Sequence, residues 1–96
     1  MGYRIKKTIE YNDWLKTQTE KSRVQIAKRL MNIENEGHFG IIKEVDDDVW
    51  ELKWKNGRRI YYVYIPESKT LLLLGGNKND QSYDIAQAKK VLRKYT

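Results

Sequence analysis

The chain has 96 residues, which suits one small domain with a single core of two packed layers. We therefore expect one domain over residues 1–96. The chain contains no cysteine and a single histidine, His38, which excludes disulfides, thiolate metal sites and clusters of histidine ligands. We accordingly expect a protein without a bound metal or cofactor.

The chain is basic, with 19 lysine and arginine residues against 13 acids and a net charge of +6. This charge suits a polyanion such as nucleic acid, an acidic protein partner, or a basic surface that only contacts solvent. The longest apolar run is four leucines at positions 71–74, far short of the roughly 20 residues that cross a bilayer. The N-terminus lacks the apolar run of a signal peptide, so we expect a cytoplasmic protein with no membrane partner.

Short periodic patterns fill the first half of the chain. Apolar residues alternate with basic ones over residues 3–7, which predicts a strand. A short helix is predicted over residues 8–17, with Asn12 or Asp13 near its cap. Apolar residues then recur at helical spacing over residues 21–36, and Gly37 follows as a helix stop, so a second helix is predicted there.

Strand patterns dominate after Gly40. Residues 49–55 alternate between apolar and charged side chains, and residues 59–65 are rich in aromatic and β-branched residues. Asn56-Gly57 between them predicts a hairpin with a two-residue turn. The leucine run predicts a further strand over residues 70–74 that is buried on both faces.

Residues 81–93 complete the pattern as a last helix, with Asp80 as its cap. The predicted order is therefore β-α-α-β-β-β-α. This order predicts an α+β fold with an antiparallel sheet and helices packed on one face.

Basic residues cluster about the predicted hairpin tip. A two-residue turn would place Lys55 opposite Arg58 and Lys53 opposite Ile60, so that Lys53, Lys55 and Arg58 share one face. Like charges placed opposite each other cost free energy, which favours an anion as their partner. We therefore predict that Lys55 and Arg58 bind RNA; the alternative is a solvated edge whose lysines prevent aggregation.

RNA can be cleaved without histidine. The 2′-hydroxyl must lose a proton, the phosphate gains charge, and the 5′-oxygen must be protonated or stabilised. Lysine and arginine can hold the phosphate and its developing charge, and a lysine among other cations or a tyrosine can transfer a proton. Tyrosine can also stack on an unpaired base, and the chain has seven tyrosines.

One C-terminal string resembles the signature of a known protein group. It reads Leu72-Leu73-Leu74-Gly75-Gly76-Asn77-Lys78-Asn79-Asp80-Gln81, followed by Asp84-Ile85-Ala86-Gln87-Ala88. Two upstream segments match the same group, Val49-Trp50-Glu51-Leu52-Lys53 and Arg59-Ile60-Tyr61-Tyr62. Over nearly its whole length the chain is similar to the addiction-module killer branch of the RelE/ParE superfamily, also described as phage Gp49-like or HigB-type.

This resemblance implies the toxin of a type II toxin–antitoxin system, neutralised by a cognate antitoxin that is usually a helix-turn-helix protein. Many relatives are metal-independent endoribonucleases that cut mRNA on the ribosome. Others, of the ParE type, inhibit DNA gyrase and cleave nothing. A module that has decayed and only binds its antitoxin is the third alternative.

The resemblance also implies roles for individual residues. Lys53 and Arg59 match the residues that hold the scissile phosphate, Lys78 lies near a second cationic position, and Tyr83 lies near the functional tyrosine. Tyr95 is a second tyrosine that could contact RNA.

Two features depart from the pattern of the family. Glu51 stands where RelE-type enzymes carry another lysine, and an acid there would repel phosphate unless it acts as a base. The two-residue turn places Arg58 on the face of Lys53, whereas the family match selects Arg59. A one-residue bulge at the turn would exchange them.

Overall fold

The computed structural model describes residues 2–95, which form five strands and three helices; the two terminal residues of the predicted domain lie outside this range. No helix within it is long and apolar enough to cross a membrane. A single turn of 3-10 helix lies at Pro66–Ser68. The other elements are β1 Arg4–Lys7, α1 Ile9–Lys16, α2 Glu20–Glu36, β2 Ile42–Asp46, β3 Val49–Lys53, β4 Arg59–Ile65, β5 Thr70–Gly76 and α3 Gln81–Lys94.

The strands form one sheet in the order β1-β5-β4-β3-β2. The α+β class is confirmed, but the sheet is mixed, because β1 pairs with β5 in parallel while the other pairs are antiparallel. The prediction of a wholly antiparallel sheet was therefore wrong in this detail. The alternation of residues 3–7 is the same whichever way the partner strand runs, so the sequence did not reveal the direction.

Helices cover both faces of the sheet, which corrects the predicted packing on one face. Successive side chains of a strand point to opposite faces, and β5 is buried on both. Leu71 and Leu73 pack with α1 and α2, whereas Leu72 and Leu74 pack with Ala88 of α3. The two-sided burial that the leucine run predicted is thus confirmed, and it requires a helix on each side.

The sequence analysis missed β2, the edge strand that pairs with β3. Its residues are exposed or only half-buried, and they lead into an acidic turn in which Asp48 has a φ of +62°. A strand with no buried face carries no alternating apolar pattern, which is why periodicity did not find it.

Side chains fix the helix ends. Thr8 and Thr19 accept hydrogen bonds from the first turns of α1 and α2, and Asp80 does the same for α3. The Asp80 cap is confirmed, while the cap of α1 is Thr8 rather than Asn12 or Asp13. Gly37 ends α2 in the left-handed conformation, as predicted.

Candidate active site

The hairpin between β3 and β4 has a three-residue turn, so the predicted two-residue turn was wrong. The backbone N–H of Trp54 donates to the carbonyl of Arg58 at 2.9 Å, and Gly57 takes a φ of +94° inside the turn. The extra residue shifts the register so that Lys53 lies opposite Arg59. Because a one-residue shift exchanges the two faces of a strand, Arg59 and not Arg58 shares the face of Lys53.

Lys53 and Arg59 lie on the α3 side of the sheet. Lys53 lies two residues after Glu51 and Arg59 two residues before Tyr61, so the two cations share the face of that cross-strand pair, and Tyr61 packs in the core under α3. Lys53 is exposed, and the Arg59 side chain is 26% exposed. Two cations on the neighbouring strands β3 and β4 therefore reach solvent on the α3 side of the sheet.

Arg58 lies on the opposite face and is only 8% exposed. Its Nη2 donates to the hydroxyl of Ser22 at 2.8 Å and its Nη1 donates to Gln25 Oε1 at 3.3 Å, both on α2. The guanidinium also lies over the ring of Trp54. These contacts join the hairpin to α2 and leave little of the guanidinium exposed, so Arg58 lies apart from Lys53 and Arg59 and its contact with RNA stays a prediction.

Lys55 lies at the hairpin tip and is exposed. It lines an open cleft of about 460 Å³ on the α2 side, together with Lys28, His38 and Arg29. Arg29 donates three hydrogen bonds to backbone carbonyls there, and burial lowers its pKa from the ordinary value. Lys55 therefore lies in a second basic region on the α2 side of the sheet, apart from Lys53 and Arg59.

The loop between β5 and α3 is held rigidly. A Cβ added to Gly76 would lie 2.0 Å from the ring of Trp14, so only glycine fits there. The Trp14 indole N–H donates to the carbonyl of Asn77 at 3.0 Å. Asn77 in turn accepts a 2.9 Å hydrogen bond from the Arg59 backbone N–H through its side chain. The glycine and asparagine of the string thus fasten this loop to α1 and to β4.

The buried carboxylate of Asp84 fixes the next part of the loop. It accepts hydrogen bonds from the backbone N–H groups of Lys78, at 3.1 Å, and Asn79, at 3.2 Å. Both N–H groups are thereby satisfied from the first turn of α3. The Lys78 side chain is left exposed above the helix N-terminus.

Lys78 and Tyr83 line one cavity of about 380 Å³ between α1, β5 and α3. Tyr83 is 51% exposed, so its ring is available to a stacking partner. At the floor of this cavity, burial together with the nearby carboxylates of Asp84 and Glu51 raises the pKa of Tyr61 to about 12. Its hydroxyl has no hydrogen-bond partner among residues 2–95.

The strand cations and the α3 residues meet through Glu51, which is 1% exposed. Its Oε1 lies 3.5 Å from Arg59 Nε and accepts a hydrogen bond of 3.2 Å from the side chain of Gln81, the first residue of α3. We call Lys53, Arg59, Lys78 and Tyr83, together with Glu51 and Gln81, the basic cluster; its strand and helix parts are joined by the Gln81–Glu51 contact and by the bond between Asn77 and the Arg59 backbone. The cluster lies beside a helix N-terminus, which favours anions.

Tyr95 is not part of the basic cluster. It follows α3 at its opposite end, about 18 Å along the helix from Tyr83 at 1.5 Å per residue. Its hydroxyl donates to Glu10 at 3.3 Å and accepts from the Ile9 backbone N–H at 3.5 Å, and Glu10 also pairs with Lys94. These contacts attach the end of α3 to α1 and give Tyr95 a structural role, while its contact with RNA stays a prediction.

Sequence reasoning named the candidate cations and the acid Glu51, but it did not predict the contacts that hold this region together. Glu51, Gln81, Asn77, Asp84 and Trp14 all support the basic cluster. Part of this information was in the sequence, since Asn77, Gln81 and Asp84 are polar positions of the C-terminal string that resembles the family signature.

The fold and the basic cluster define a small α+β protein with cations gathered where its last helix starts. The model of the family described as "Phage derived protein Gp49-like (DUF891)" matches residues 13–96. The chain belongs to this family, which confirms the predicted membership.

Relatives and solved structures agree with this assignment. An uncharacterized protein of Haemophilus influenzae is 36% identical over 93 residues, covering 93% of this chain and 92% of that protein. The structure of an E. coli toxin RelE double arginine-to-alanine mutant in the free state has a TM-score of 0.75 at 20% identity, covering 94% of this chain and 97% of that one. The toxin–antitoxin complex RelBE2 of Mycobacterium tuberculosis gives a TM-score of 0.67 at 12% identity, covering 82% and 100%. The fold is therefore that of the RelE toxins.

Proposed function

We propose that this chain is the toxin of a toxin–antitoxin pair and that it is an endoribonuclease that cleaves translated mRNA. The observation that carries the proposal is the basic cluster. Lys53 and Arg59 lie opposite each other on one face of the sheet. The contacts of Asn77 with Arg59 and of Gln81 with Glu51 join them to the segment that carries Lys78 and Tyr83. This face also belongs to a fold shared with proteins described as RelE toxins.

The reaction we assign is attack of a 2′-oxygen on the adjacent phosphorus. The 2′-hydroxyl loses its proton, the bond from phosphorus to the 5′-oxygen breaks, and that oxygen takes a proton. The products are a 2′,3′-cyclic phosphate, which can open to a 3′-phosphate, and a 5′-hydroxyl. Charge builds on the phosphate oxygens during this step, so cations held in place beforehand accelerate it.

Each member of the cluster has a role in this reaction. Arg59 and Lys53 hold the scissile phosphate, Arg59 with its outward Nη groups and Lys53 as a mobile point charge. Lys78, on its rigid loop, stabilises the transition state or the leaving 5′-oxygen. Tyr83 stacks on an unpaired base of the message and positions the strand.

Inhibition of DNA gyrase without cleavage is the second candidate function. The observation that favours it is Glu51, an acid at a position where RelE-type enzymes carry a lysine. Against it, Glu51 is 1% exposed and its carboxylate contacts Arg59, so its charge is compensated inside the protein. The buried acid is therefore compatible with the phosphate site that we propose on this face.

The proposal includes a cognate antitoxin, a helix-turn-helix protein in the usual pairing. Proteins of the same fold are described in toxin–antitoxin complexes. With a net charge of +6, this chain would attract an acidic partner. We expect the antitoxin to block the basic cluster or to distort it, and a complex with full nuclease activity would contradict this.

The test is cleavage of a defined mRNA on purified programmed ribosomes. We expect new ends within the A-site codon, and a loss of rate on the order of 10²–10³-fold for the Arg59→Ala variant. A matched control is the Arg4→Ala/Lys6→Ala variant, which also removes two exposed cations but from β1 at the far edge of the sheet. If the mRNA stays intact and DNA supercoiling is inhibited, the chain is instead an inhibitor of DNA gyrase.

A further inference from the structure

Glu51 is a carboxylate buried in the sheet directly beneath the cations of the proposed site. It is 1% exposed and lies opposite Tyr61 in the β3–β4 pair. Leaving a buried carboxylate without compensating contacts is costly, so such groups are paired or hydrogen-bonded. The two compensating contacts of Glu51 come from Arg59 and from Gln81.

Glu51 contacts the Arg59 guanidinium on one edge only, the edge that carries Nε. Nε faces Glu51 at 3.5 Å, which is an ion-pair distance, and makes no hydrogen bond to any residue from 2 to 95. Neither Nη nitrogen of Arg59 donates a hydrogen bond within residues 2–95, and the side chain is 26% exposed. A planar guanidinium held by its Nε edge presents its other donors as a fork, the geometry that matches two phosphate oxygens.

The contact with Gln81 joins the other half of the cluster to the same atom. Gln81 Nε2 donates to Glu51 Oε1, the oxygen that also faces Arg59. Gln81 opens α3, two residues before Tyr83, and follows the loop that carries Lys78. Glu51 Oε1 thus contacts both Arg59 on β4 and Gln81 on α3, and in this way it holds the start of α3 next to the strand.

We propose that Glu51 is a positioning residue, which aims the Arg59 fork at the scissile phosphate and holds the start of α3 against the sheet. The inference rests on the proposed nuclease function and deepens it. The acid at this position, which departs from the lysine of RelE-type enzymes, becomes part of the site rather than a defect in it. Glu51 acts through Arg59 and Gln81 and does not touch the RNA.

The test uses the Glu51→Gln variant, which keeps the side-chain volume and an acceptor for Gln81 but removes the charge. In single-turnover cleavage on programmed ribosomes we expect the maximal rate to fall on the order of 10–100-fold, because a small misplacement of a catalytic group has effects of this size. We expect the half-saturating ribosome concentration to stay within about twofold, since a change in the transition state alone lowers kcat and leaves KM. Glu44→Gln, an exposed acid on neighbouring β2, is the matched control and should cleave like the wild type.

A double-mutant cycle separates positioning from other roles. If Glu51 acts through Arg59, Glu51→Gln should have little further effect in an Arg59→Ala background but its full effect in a Lys53→Ala background. Equal effects in both backgrounds would overturn the proposal. A pH–rate profile that loses its acidic limb in Glu51→Gln would also overturn it, since that result makes Glu51 a general base.

Proton exchange at the Arg59 Nε–H, followed by NMR, gives a readout that needs no cleavage. We expect slow exchange in the wild type and faster exchange in Glu51→Gln, because the Nε is buried against the carboxylate. Unchanged exchange would contradict the positioning role even if the enzyme cleaves. A wild-type chain that cleaves no mRNA but shows the exchange difference would overturn the nuclease function and leave the Glu51–Arg59 contact intact.

Discussion

Replacing Gly76 with alanine tests how the loop of the basic cluster is built. The added Cβ would lie 2.0, 2.2 and 2.4 Å from three ring atoms of Trp14, far inside van der Waals contact. Trp14 is 1% exposed and its indole N–H is hydrogen-bonded to Asn77, so the ring cannot swing aside. Forcing an extra carbon into a packed core costs about 1–3 kcal/mol, and this overlap belongs at the upper end.

A loss of about 3 kcal/mol corresponds to a fall in Tm of about 12–24 °C for a domain of this size, at about 4–8 °C per kcal/mol. Thermal unfolding followed by circular dichroism measures it. The matched control is Gly57→Ala, because a Cβ there meets no atom within 4 Å and only the φ of +94° opposes it. We expect that control to lose about 1–2 kcal/mol, the cost of a left-handed backbone for a residue with a Cβ.

A second variant identifies the clash as the cause. In a Trp14→Phe background the smaller ring leaves room, so Gly76→Ala should cost at least about 1 kcal/mol less than in the wild type. Gly57→Ala should cost the same in both backgrounds. A Gly76→Ala protein as stable as the wild type, or one whose loss is unchanged by Trp14→Phe, would refute the argument.

Three further predictions follow from the same contacts. Arg58→Ala should lower the free energy of unfolding by about 1–3 kcal/mol through its lost bonds to Ser22 and Gln25 and should keep growth arrest. Arg59→Ala should abolish growth arrest, and it also lowers stability because it leaves the buried Glu51 carboxylate without its cation. Growth arrest that is lost in Arg58→Ala and kept in Arg59→Ala would place Arg58 in the site. Asp84→Ala should cost about 1–3 kcal/mol, because the N–H groups of Lys78 and Asn79 lose their acceptor, and Asp84→Asn should cost less in the same urea assay. Burial raises the pKa of Tyr11, Tyr61 and Tyr62 to about 12, above the ordinary value of 10.0; their stabilising contribution is complete below pH 10 and is lost as the pH rises towards 12. Ultraviolet titration should therefore show three tyrosines that ionise only near pH 12 or on unfolding, and early ionisation of all seven would contradict this.

Local signals were enough to predict most elements of the fold. Asp80 and Gly37 mark helix ends through their own backbone and side-chain chemistry, and the leucines of β5 encode burial on both faces. The parallel pairing of β1 and the placement of α3 on the second face depend on contacts between distant segments. Nothing in residues 3–7 distinguishes a parallel from an antiparallel partner.

In the candidate site too, local sequence signals predicted some features, and contacts between distant residues determined the others. The two-residue turn suggested by Asn56-Gly57 would have selected Arg58, and only the family resemblance selected Arg59, which the register places opposite Lys53. A single additional turn residue decides between these two arginines, and turn length is poorly encoded in a dipeptide. The support from Glu51 and Gln81 joins residues 30 positions apart and had no local signature.

The central claim is that the face carrying Lys53 and Arg59 cleaves translated mRNA. The most direct measurement is the mapping of mRNA 5′ ends in bacterial cells shortly after the chain is induced. We predict new 5′-hydroxyl ends within coding sequences, present in the wild type and the Arg4→Ala/Lys6→Ala control, and missing in the Lys53→Ala/Arg59→Ala variant. Growth arrest with unchanged mRNA ends, or new ends that persist in the Lys53→Ala/Arg59→Ala variant, would contradict the account.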